Sequence, residues 1–474
     1  MIGIADFVVR ASGLVTLPIL TRMLLPSEYG LWALIIVTIT IVSSFFQGGL
    51  GVSLVRFIPS EKDWVERAEA ISSTLVLVLG MGLIGTILLW AFVSVEGGRF
   101  LRTSENETLF FQWSSLLVPL YALRDIVTRA LRALRCMQHF AAVNFFKTFL
   151  EIGGLLFLRH VGGKVLQVIM LYVVIETLTV AIGFWLLNWE IPLKAPTFKT
   201  ARRYFLFGIP LSANALILLI IHSSDRYLLS YFLGLSAAGI YSVASNISMM
   251  TLLFLMPIQS VLLIATADLY DAHQMAEVRK YFHYSLKYYL ILTLPILVGL
   301  TLYGGPFVKM LATESYLGES WVLPCLALGH LLYGFYQLLI FATYLRQRTY
   351  VDFFLLVGGA VANIGLNLIL IPFFRIPGAA VATVLSFFLL AAAAYGLAMR
   401  SLGILCDAWI GCKALLATGV MTFVIVSVSE RKTVFDLGPI FLGLLAYFGT
   451  LLLLRTFRVS EFRLLTAFST PESS

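Results

Sequence analysis

Long apolar segments alternate with short polar ones from residue 2 to residue 456. Among them are 74–93, 165–187 and 437–454, and an α-helix needs about 20 apolar residues to cross a hydrocarbon layer of about 30 Å. The segments have the length of helices rather than of the roughly ten-residue alternating strands of a membrane barrel. The pattern therefore predicts an all-α integral membrane protein.

Breaks rich in proline, glycine or charge divide the chain into about fourteen predicted transmembrane helices. Their approximate cores lie at 3–25, 30–55, 70–93, 109–134, 140–160, 165–187, 204–232, 236–265, 281–303, 319–343, 349–373, 377–399, 407–428 and 437–456. We group these helices as an N-terminal six-helix bundle (1–190), a C-terminal six-helix bundle (200–400) and two additional transmembrane helices (405–460). A tail follows at 461–474.

Composition supports the membrane prediction, because 60% of the residues are hydrophobic and 12% are charged, against about 25% charged in soluble domains. The formal charge is +8, yet the basic residues are scattered at segment ends, so we do not expect nucleic acid as a partner. The four cysteines lack the spacing of a zinc site, and we expect neither disulfides nor a cofactor.

The distribution of Lys and Arg predicts the orientation. One set of connections, together with the tail, holds 18 basic residues, and the opposite set holds 9. The richer side should be cytoplasmic, and an even number of spans then places both termini there. At the amino terminus the apolar run continues to Leu25, so we expect a retained helix rather than a cleaved signal peptide.

The chain contains a weak internal repeat. YGLWAL at 29–34 returns as AGIYSV at 238–243, NFF at 144–146 returns as DFF at 352–354, and the glycines at 162–163 correspond to Pro377 and Gly378. Offsets of 208 to 215 in the same order predict two homologous, pseudo-symmetric halves. Copies that point the same way are typical of parallel-repeat transporters, which favours a carrier over a channel or an enzyme.

At these residues the chain resembles the polysaccharide-synthesis flippases, which include O-antigen flippases. They belong to the superfamily that also contains multidrug extrusion carriers and the lipid II flippase. The motifs that carry the resemblance are LPSEYGL at 25–31, QGGL at 47–50, SDRYLL at 224–229, AGIYS at 238–242, NIGLNLILIP at 363–372 and GAAVAT at 378–383.

The resemblance implies two six-helix bundles plus two carboxyl-terminal helices. It implies that the chain moves a polyprenyl-diphosphate-linked oligosaccharide, the repeat unit of an O-antigen, capsule or exopolysaccharide, across the cytoplasmic (inner) membrane by alternating access. Its partners would be this lipid-linked sugar, membrane lipid, and the polysaccharide polymerase and chain-length machinery. The coupling ion is left open between H⁺ and Na⁺.

Charged residues inside the predicted spans are the candidate site, since each costs about 2.5 to 3.5 kcal/mol in a helix centre and normally faces a cavity or a partner. Arg10, Lys147, Lys287 and Arg124 fall near one level toward the cytoplasmic ends of their spans. Such a layer could hold a lipid diphosphate, which guanidinium groups bind in bidentate fashion. Arg226 lies near the outer end of its span and is a further substrate-binding candidate.

A structural interpretation competes with this one. Asp6 with Arg10, Asp125 with Arg129, and Lys147 with Glu151 stand four residues apart and could neutralise each other on one helix face. Arg124 and Lys287 have no opposite charge at that spacing, which favours a substrate-facing role for these two. Three buried carboxylates are the candidates for ion coupling: Glu151, Glu176 and Asp225.

Two other functions are compatible with parts of the pattern. A multidrug antiporter of the same superfamily would need an acidic cavity for organic cations, and the intramembrane basic residues argue against it. A membrane glycosyltransferase, ligase or polymerase usually carries a large polar loop. The longest predicted outer loop, near 94–108, has only about 15 residues and no DxD motif, so we expect a transporter rather than an enzyme.

Overall fold

The computed structural model describes residues 13, 15–97, 105–318, 321–405, 407–429 and 437–457. These residues form two compact units. The first unit holds the described residues up to Val243, together with Leu311–Gly318 and Leu356–Ala382. The second unit holds Ala244–Met310, the described residues of 319–355, and those from Thr383 onward. The predicted bundles 1–190 and 200–400 follow the sequence repeat and stay a prediction.

The helices of the first half follow each other closely along the chain. They are α1 (15–23), α2 (Pro26–Gln47), α3 (Leu50–Phe57), α4 (Trp64–Phe92), α5 (Glu105–Ser114), α6 (Leu117–Ala133), α7 (Met137–His160), α8 (Val165–Glu190), α9 (Phe198–Ile221) and α10 (Ser224–Leu233). A short 3₁₀ helix follows α3 at Ile58–Ser60, and α4 ends in a π-helical turn at Val93–Gly97.

The second half continues in the same way. Its helices are α11 (Leu235–Ser248), α12 (Leu255–Asp271), α13 (Met275–Leu311), α14 (Val322–Leu339), α15 (Phe341–Leu345), α16 (Thr349–Leu402), α17 (Ala408–Val428) and α18 (Leu437–Leu453), with 3₁₀ turns at Met249–Leu252 and Glu314–Tyr316. Within the described ranges nine helices are long and apolar enough to cross a membrane, or ten if the bent pair α11–α12 is one span.

Local sequence explains where several helices begin and end. Pro26 occupies the first turn of α2, where its missing N–H costs nothing, and the Glu28 carboxylate accepts the Leu25 N–H at 2.9 Å. The Asp63 carboxylate caps α4 by accepting the Val65 N–H at 3.0 Å. Gly48 ends α2 in the left-handed conformation (φ 55°), which glycine adopts at little cost.

Five predicted continuous spans are interrupted in the structure. The predicted helices 30–55, 109–134, 204–232, 236–265 and 319–343 each consist of two helices separated by a short break. The break between α2 and α3 falls at Gly48 and Gly49, both with positive φ, and α11 and α12 are bent by 41°. The apolar pattern does not reveal such breaks, because the few irregular residues are as apolar or as small as their helical neighbours.

The longest helix, α16, spans 54 residues. A straight helix of that length would measure about 80 Å, far more than a bilayer of about 30 Å. It is bent at Arg375 (φ 58°, ψ −136°), between Pro372 and Pro377, as expected where proline removes backbone hydrogen bonds. The predicted boundary between 349–373 and 377–399 is therefore present as a kink, and the described helices are consistent with about fourteen passes.

The first repeat motif has a direct structural counterpart inside the first unit. A Cβ added to Gly30 of α2 would lie 2.0 Å from the Leu235 carbonyl oxygen, and one added to Gly239 of α11 would lie 2.0 Å from the Pro26 carbonyl oxygen. Gly30 and Gly239 are equivalent in the repeat, as are Pro26 and Leu235. The two copies therefore pack against each other at Gly30 and Gly239. At each glycine the backbone of the other copy lies where a side chain would otherwise be.

Each unit has its own apolar core. In the first unit it lies around Leu54, Ile71, Ile126 and Tyr204, which are almost completely buried. In the second unit Ile291 and Tyr303 of α13 pack with Met421 of α17 and Tyr447 of α18. Many large apolar side chains are exposed, for example Phe149, Phe373 and Leu453. This is the surface expected of helices that face lipid.

Candidate functional site

Three helices of the first unit bring charged side chains together within their apolar surroundings. Arg124 lies in the middle of α6, and its Nε lies 2.7 Å from the Oε2 of Glu176 on α8. The Glu176 side chain is fully buried, whereas that of Arg124 is 25% exposed. Arg124 also lies over the Tyr121 ring, with its guanidinium carbon 5.3 Å from the ring centre.

Lys147 of α7 extends this contact into a network. Its Nζ lies 3.2 Å from Glu151 Oε2 on the same helix and 3.8 Å from Glu176 Oε1. The Tyr172 hydroxyl of α8 donates to the other oxygen of Glu151 at 2.5 Å. We call Arg124, Lys147, Glu151, Glu176 and Tyr172 the charge network. It holds two formal positive and two formal negative charges and is neutral as a whole.

The position of the network follows from the helices that carry it. Glu151 and Glu176 are buried, and the Tyr172 ring packs on Trp32 of α2, with ring centres 4.6 Å apart. Buried charges must be paired, because removing one partner from such a pair costs about 3 to 5 kcal/mol. Two cations and two carboxylates in alternating contact satisfy this requirement and can still exchange partners.

The structure pairs most of the predicted charges. The i, i+4 interactions Lys147–Glu151 and Asp125–Arg129 are present, the latter with Nε and Oδ2 2.7 Å apart. The spacing rule finds no partner for Arg124, because Glu176 comes from another helix. Tyr172 was missed as well, since a tyrosine among apolar residues carries no signal in the sequence. Arg10 and Asp6 lie outside the described residues.

Lys287 lies on α13 in the second unit, where it is buried. Its Nζ donates to the Thr456 carbonyl at 2.5 Å and lies 5.4 Å from the ring centre of Tyr288 and 5.7 Å from that of Phe457. These contacts join α13 to the chain segment after α18 and favour a structural role. The predicted single layer of four cations stays a prediction, as does a substrate contact of Lys287.

Asp225 and Arg226 open α10 in the first unit, and both are buried. The Asp225 carboxylate accepts the backbone N–H of Arg226 at 2.8 Å and the hydroxyl of Tyr241. Next to them, the Ser224 hydroxyl donates to Asn363 Oδ1 at 2.8 Å, and Asn367 Nδ2 donates to the same oxygen at 3.1 Å. The arrangement is a second buried polar cluster, built from α10, α11 and α16.

In the second unit the Asp352 carboxylate accepts hydrogen bonds from the hydroxyls of Tyr336 and Tyr344, the latter at 2.6 Å. Ser248 Oγ and His330 Nδ1 lie 2.9 Å apart. Sequence reasoning did not single out Asp352, because a lone acidic residue at a predicted helix start is usually a cap.

Metal and thiol chemistry receive little support. Within the described ranges no group of three or more His, Cys, Asp or Glu side chains could hold a metal ion. Cys136, between α6 and α7, is a free thiol. Burial, together with a hydrogen bond to the Glu190 carboxylate, raises the pKa of this thiol to about 11. It is therefore protonated and unreactive near neutral pH.

Comparison with known proteins agrees with the sequence motifs. The family model described as polysaccharide biosynthesis protein matches residues 1–264. Among curated proteins, the chain is similar to a probable low-salt glycan biosynthesis flippase, Agl15, of Haloferax volcanii, with 23% identity over 218 residues. This match covers 46% of each protein, so the chain spans about half the length of that relative.

Two solved structures share the fold. The lipid II flippase MurJ, in an inward closed conformation, matches with a TM-score of 0.79 and 18% identity over 96% of this chain and 98% of MurJ. An inward-facing multidrug resistance MATE family transporter of the MOP superfamily matches with a TM-score of 0.68 and 13% identity, over 83% and 94% of the two chains.

These likenesses confirm the predicted helical membrane fold. The family model covers more than half of the chain and includes the helices that carry the charge network. The chain belongs to the polysaccharide biosynthesis protein family of multi-pass membrane proteins.

Proposed function

We propose that this protein is a flippase that moves a polyprenyl-diphosphate-linked oligosaccharide from the cytoplasmic to the outer leaflet of the cytoplasmic membrane by alternating access. Membership of the family supports the sugar-lipid substrate class. The similar proteins are flippases or transporters rather than enzymes, in agreement with the expectation of a transporter. Both termini would lie in the cytoplasm.

The charge network is the observation that carries the proposal. A lipid diphosphate is a multivalent anion that must cross an apolar layer, so its carrier needs cations within the helices. Arg124 and Lys147 supply them, and each contacts a carboxylate. Phosphate oxygens could replace these carboxylates, because guanidinium binds phosphate and carboxylate with the same bidentate geometry.

The same exchange gives the carboxylates a role in coupling. When Arg124 and Lys147 turn to the diphosphate, Glu176 is left buried without its partners, which is costly unless a cation takes their place. A proton or a sodium ion bound at Glu176 or Glu151 would restore the balance. Asp225, buried beside Arg226, is the third candidate for ion coupling. Substrate binding and ion binding would thus be linked through shared partners.

The direct test is reconstitution. Purified protein is placed in vesicles with a fluorescent polyprenyl-diphosphate sugar, and a membrane-impermeant quencher reports the fraction in the outer leaflet. We expect wild-type protein to make the inner pool accessible, and Arg124→Gln to reduce the rate strongly. Arg202→Gln is the control, because Arg202 is exposed on α9. A wild-type protein that moves no lipid-linked sugar but takes up organic cations would overturn the proposal in favour of a multidrug antiporter.

A further inference from the structure

A cavity of about 260 Å³ opens in the first unit beside the carboxyl-terminal half of α6. Its walls come from three helices: Val52 of α3, Asp125, Arg129 and Arg132 of α6, and Phe140 of α7. We call it the arginine pocket. The carboxyl-terminal end of α6 lies on the basic-rich side that the sequence predicts to be cytoplasmic. Arg132 is eight residues, or about 12 Å of helix, from Arg124 of the charge network.

Within the described part of the chain, Arg129 is held in this pocket through its Nε. Its Nε lies 2.7 Å from Asp125 Oδ2, and the Gln47 side-chain amide donates to the same oxygen, also at 2.7 Å. An arginine carries five N–H groups, and this side chain is 40% exposed. The Asp125 contact therefore orients the guanidinium and leaves most of its donors available to a ligand.

Gly51 of α3 explains how Arg129 can lie so close to the neighbouring helix. A Cβ at this position would lie 2.4 Å from Arg129 Cδ, 2.8 Å from its Nε and 3.1 Å from Asp125 Oδ2. Any other residue would push the guanidinium from its place. The absence of a side chain at Gly51 thus helps to build the pocket.

Arg132 is the second cation and lies one turn further along α6. Its guanidinium carbon is 4.5 Å from the ring centre of Phe140, which keeps the planar group over an aromatic face. Counted over the lining residues alone, Asp125, Arg129 and Arg132 carry a formal charge of +1. Two guanidinium groups three residues apart on one helix face suit an anion with several oxygens, which they can bind in bidentate fashion.

We propose that the arginine pocket is the entry site for the diphosphate headgroup of the transported lipid, which it holds before the headgroup reaches the charge network. The inference rests on the proposed function and names a separate binding step within it. Arg129 and Arg132 lie about one and a half and about two helical turns nearer the predicted cytoplasmic face than Arg124. An anionic phospholipid headgroup offers the same phosphate chemistry, and competition between the two ligands distinguishes them.

The test uses the full chain in nanodiscs of neutral lipid and farnesyl diphosphate as the probe, with binding followed by calorimetry. We expect Arg129→Gln and Arg132→Gln each to weaken binding about tenfold or more, as lost hydrogen bonds between charged groups do. Gly51→Ala should weaken it as well, by displacing Arg129. The matched control, Arg202→Gln, should change it less than about twofold.

Transport provides the second measurement. In the vesicle assay the pocket variants should raise the substrate concentration for half-maximal rate and leave the maximal rate nearly unchanged, as expected for an entry site. Unchanged farnesyl diphosphate binding in both arginine variants would overturn the proposal. Equal displacement of the probe by phosphatidylglycerol would also overturn it, by assigning the pocket to bulk anionic lipid. If wild-type protein transports no lipid-linked sugar, the proposed function fails. The binding titration then still shows whether the arginine pocket binds a diphosphate.

Discussion

The charge network of the first unit is held differently from the buried Lys287 and Asp352 of the second unit. In the first unit Arg124 and Lys147 contact the carboxylates of Glu176 and Glu151. In the second unit the buried Lys287 donates to a backbone carbonyl, and Asp352 accepts from two tyrosine hydroxyls. The ion pairs of the network can exchange one charged partner for another, whereas the neutral partners named for Lys287 and Asp352 offer no such exchange of charges.

The internal repeat makes this difference informative. No charged residue stands 208 to 215 positions after Arg124, Lys147, Glu151 or Glu176, so the second half lacks the counterparts of the charge network. The glycine motif, in contrast, occurs in both halves and forms a reciprocal contact. At these positions the repeat preserves the glycine packing and not the charges, as expected if the proposed transport chemistry belongs to the first unit.

Removing Glu176 should have the largest effect. Glu176→Ala leaves Arg124 and Lys147 without their shared carboxylate, and we expect a loss of about 3 to 5 kcal/mol in stability together with the loss of transport. The measurement is thermal unfolding in detergent, combined with the vesicle assay.

The double variant Arg124→Leu with Glu176→Leu separates the contribution of that pair to stability from its contribution to transport. Replacing both charges by apolar groups should restore most of the stability, yet transport should stay absent because the cation is gone. A double variant with wild-type transport would show that the pair of Arg124 and Glu176 has only a structural role. The difference between the two units would then concern helix packing and not transport.

The shared packing can be tested at the repeated glycines. Gly239→Ala places a methyl group 2.0 Å from the Pro26 carbonyl oxygen, which must push α2 and α11 apart. We expect a destabilisation of about 1 to 3 kcal/mol and a similar value for Gly30→Ala, measured by thermal unfolding. Gly411→Ala is the control, since no atom lies within 4 Å of the added methyl group. Unequal effects at Gly30 and Gly239 would argue against an equivalent role of the two copies.

Lys287→Met examines the second unit. The lysine should contribute about 1 to 3 kcal/mol through its charged hydrogen bond to the Thr456 carbonyl, so the variant should unfold at a lower temperature. Its transport rate per folded protein should stay close to that of wild type. A large increase in the substrate concentration for half-maximal rate would instead support the substrate contact that the sequence predicted for Lys287.

The smallest effect is expected for Tyr172→Phe. The change removes one hydrogen bond to Glu151 and leaves the ring in its contact with Trp32, so the stability should fall by about 1.5 kcal/mol, the lower end of the range for hydrogen bonds to charged groups. Thermal unfolding measures this value, and Tyr231→Phe on α10 serves as an exposed control. A loss as large as that of Glu176→Ala would mean that Tyr172 is essential for holding the network together.

Much of the fold could be predicted from the sequence, because a bilayer imposes a length and an apolar composition on every helix that crosses it. The boundary at Arg375 was visible from the prolines around it. The breaks at Gly48 and Gly49 and between α11 and α12 were not, since a few irregular residues leave the apolar character of the whole span intact.

For the site, the sequence alone identified which residues carry charge within apolar segments, and it paired Lys147 with Glu151 and Asp125 with Arg129, because neighbours on one helix are fixed by its pitch. Only the tertiary structure decided that Arg124 meets Glu176, that Lys287 is held by a carbonyl, and that Gly51 makes room for Arg129. Contacts between helices depend on how their faces pack, and a helical period within one segment contains no information about the face of another.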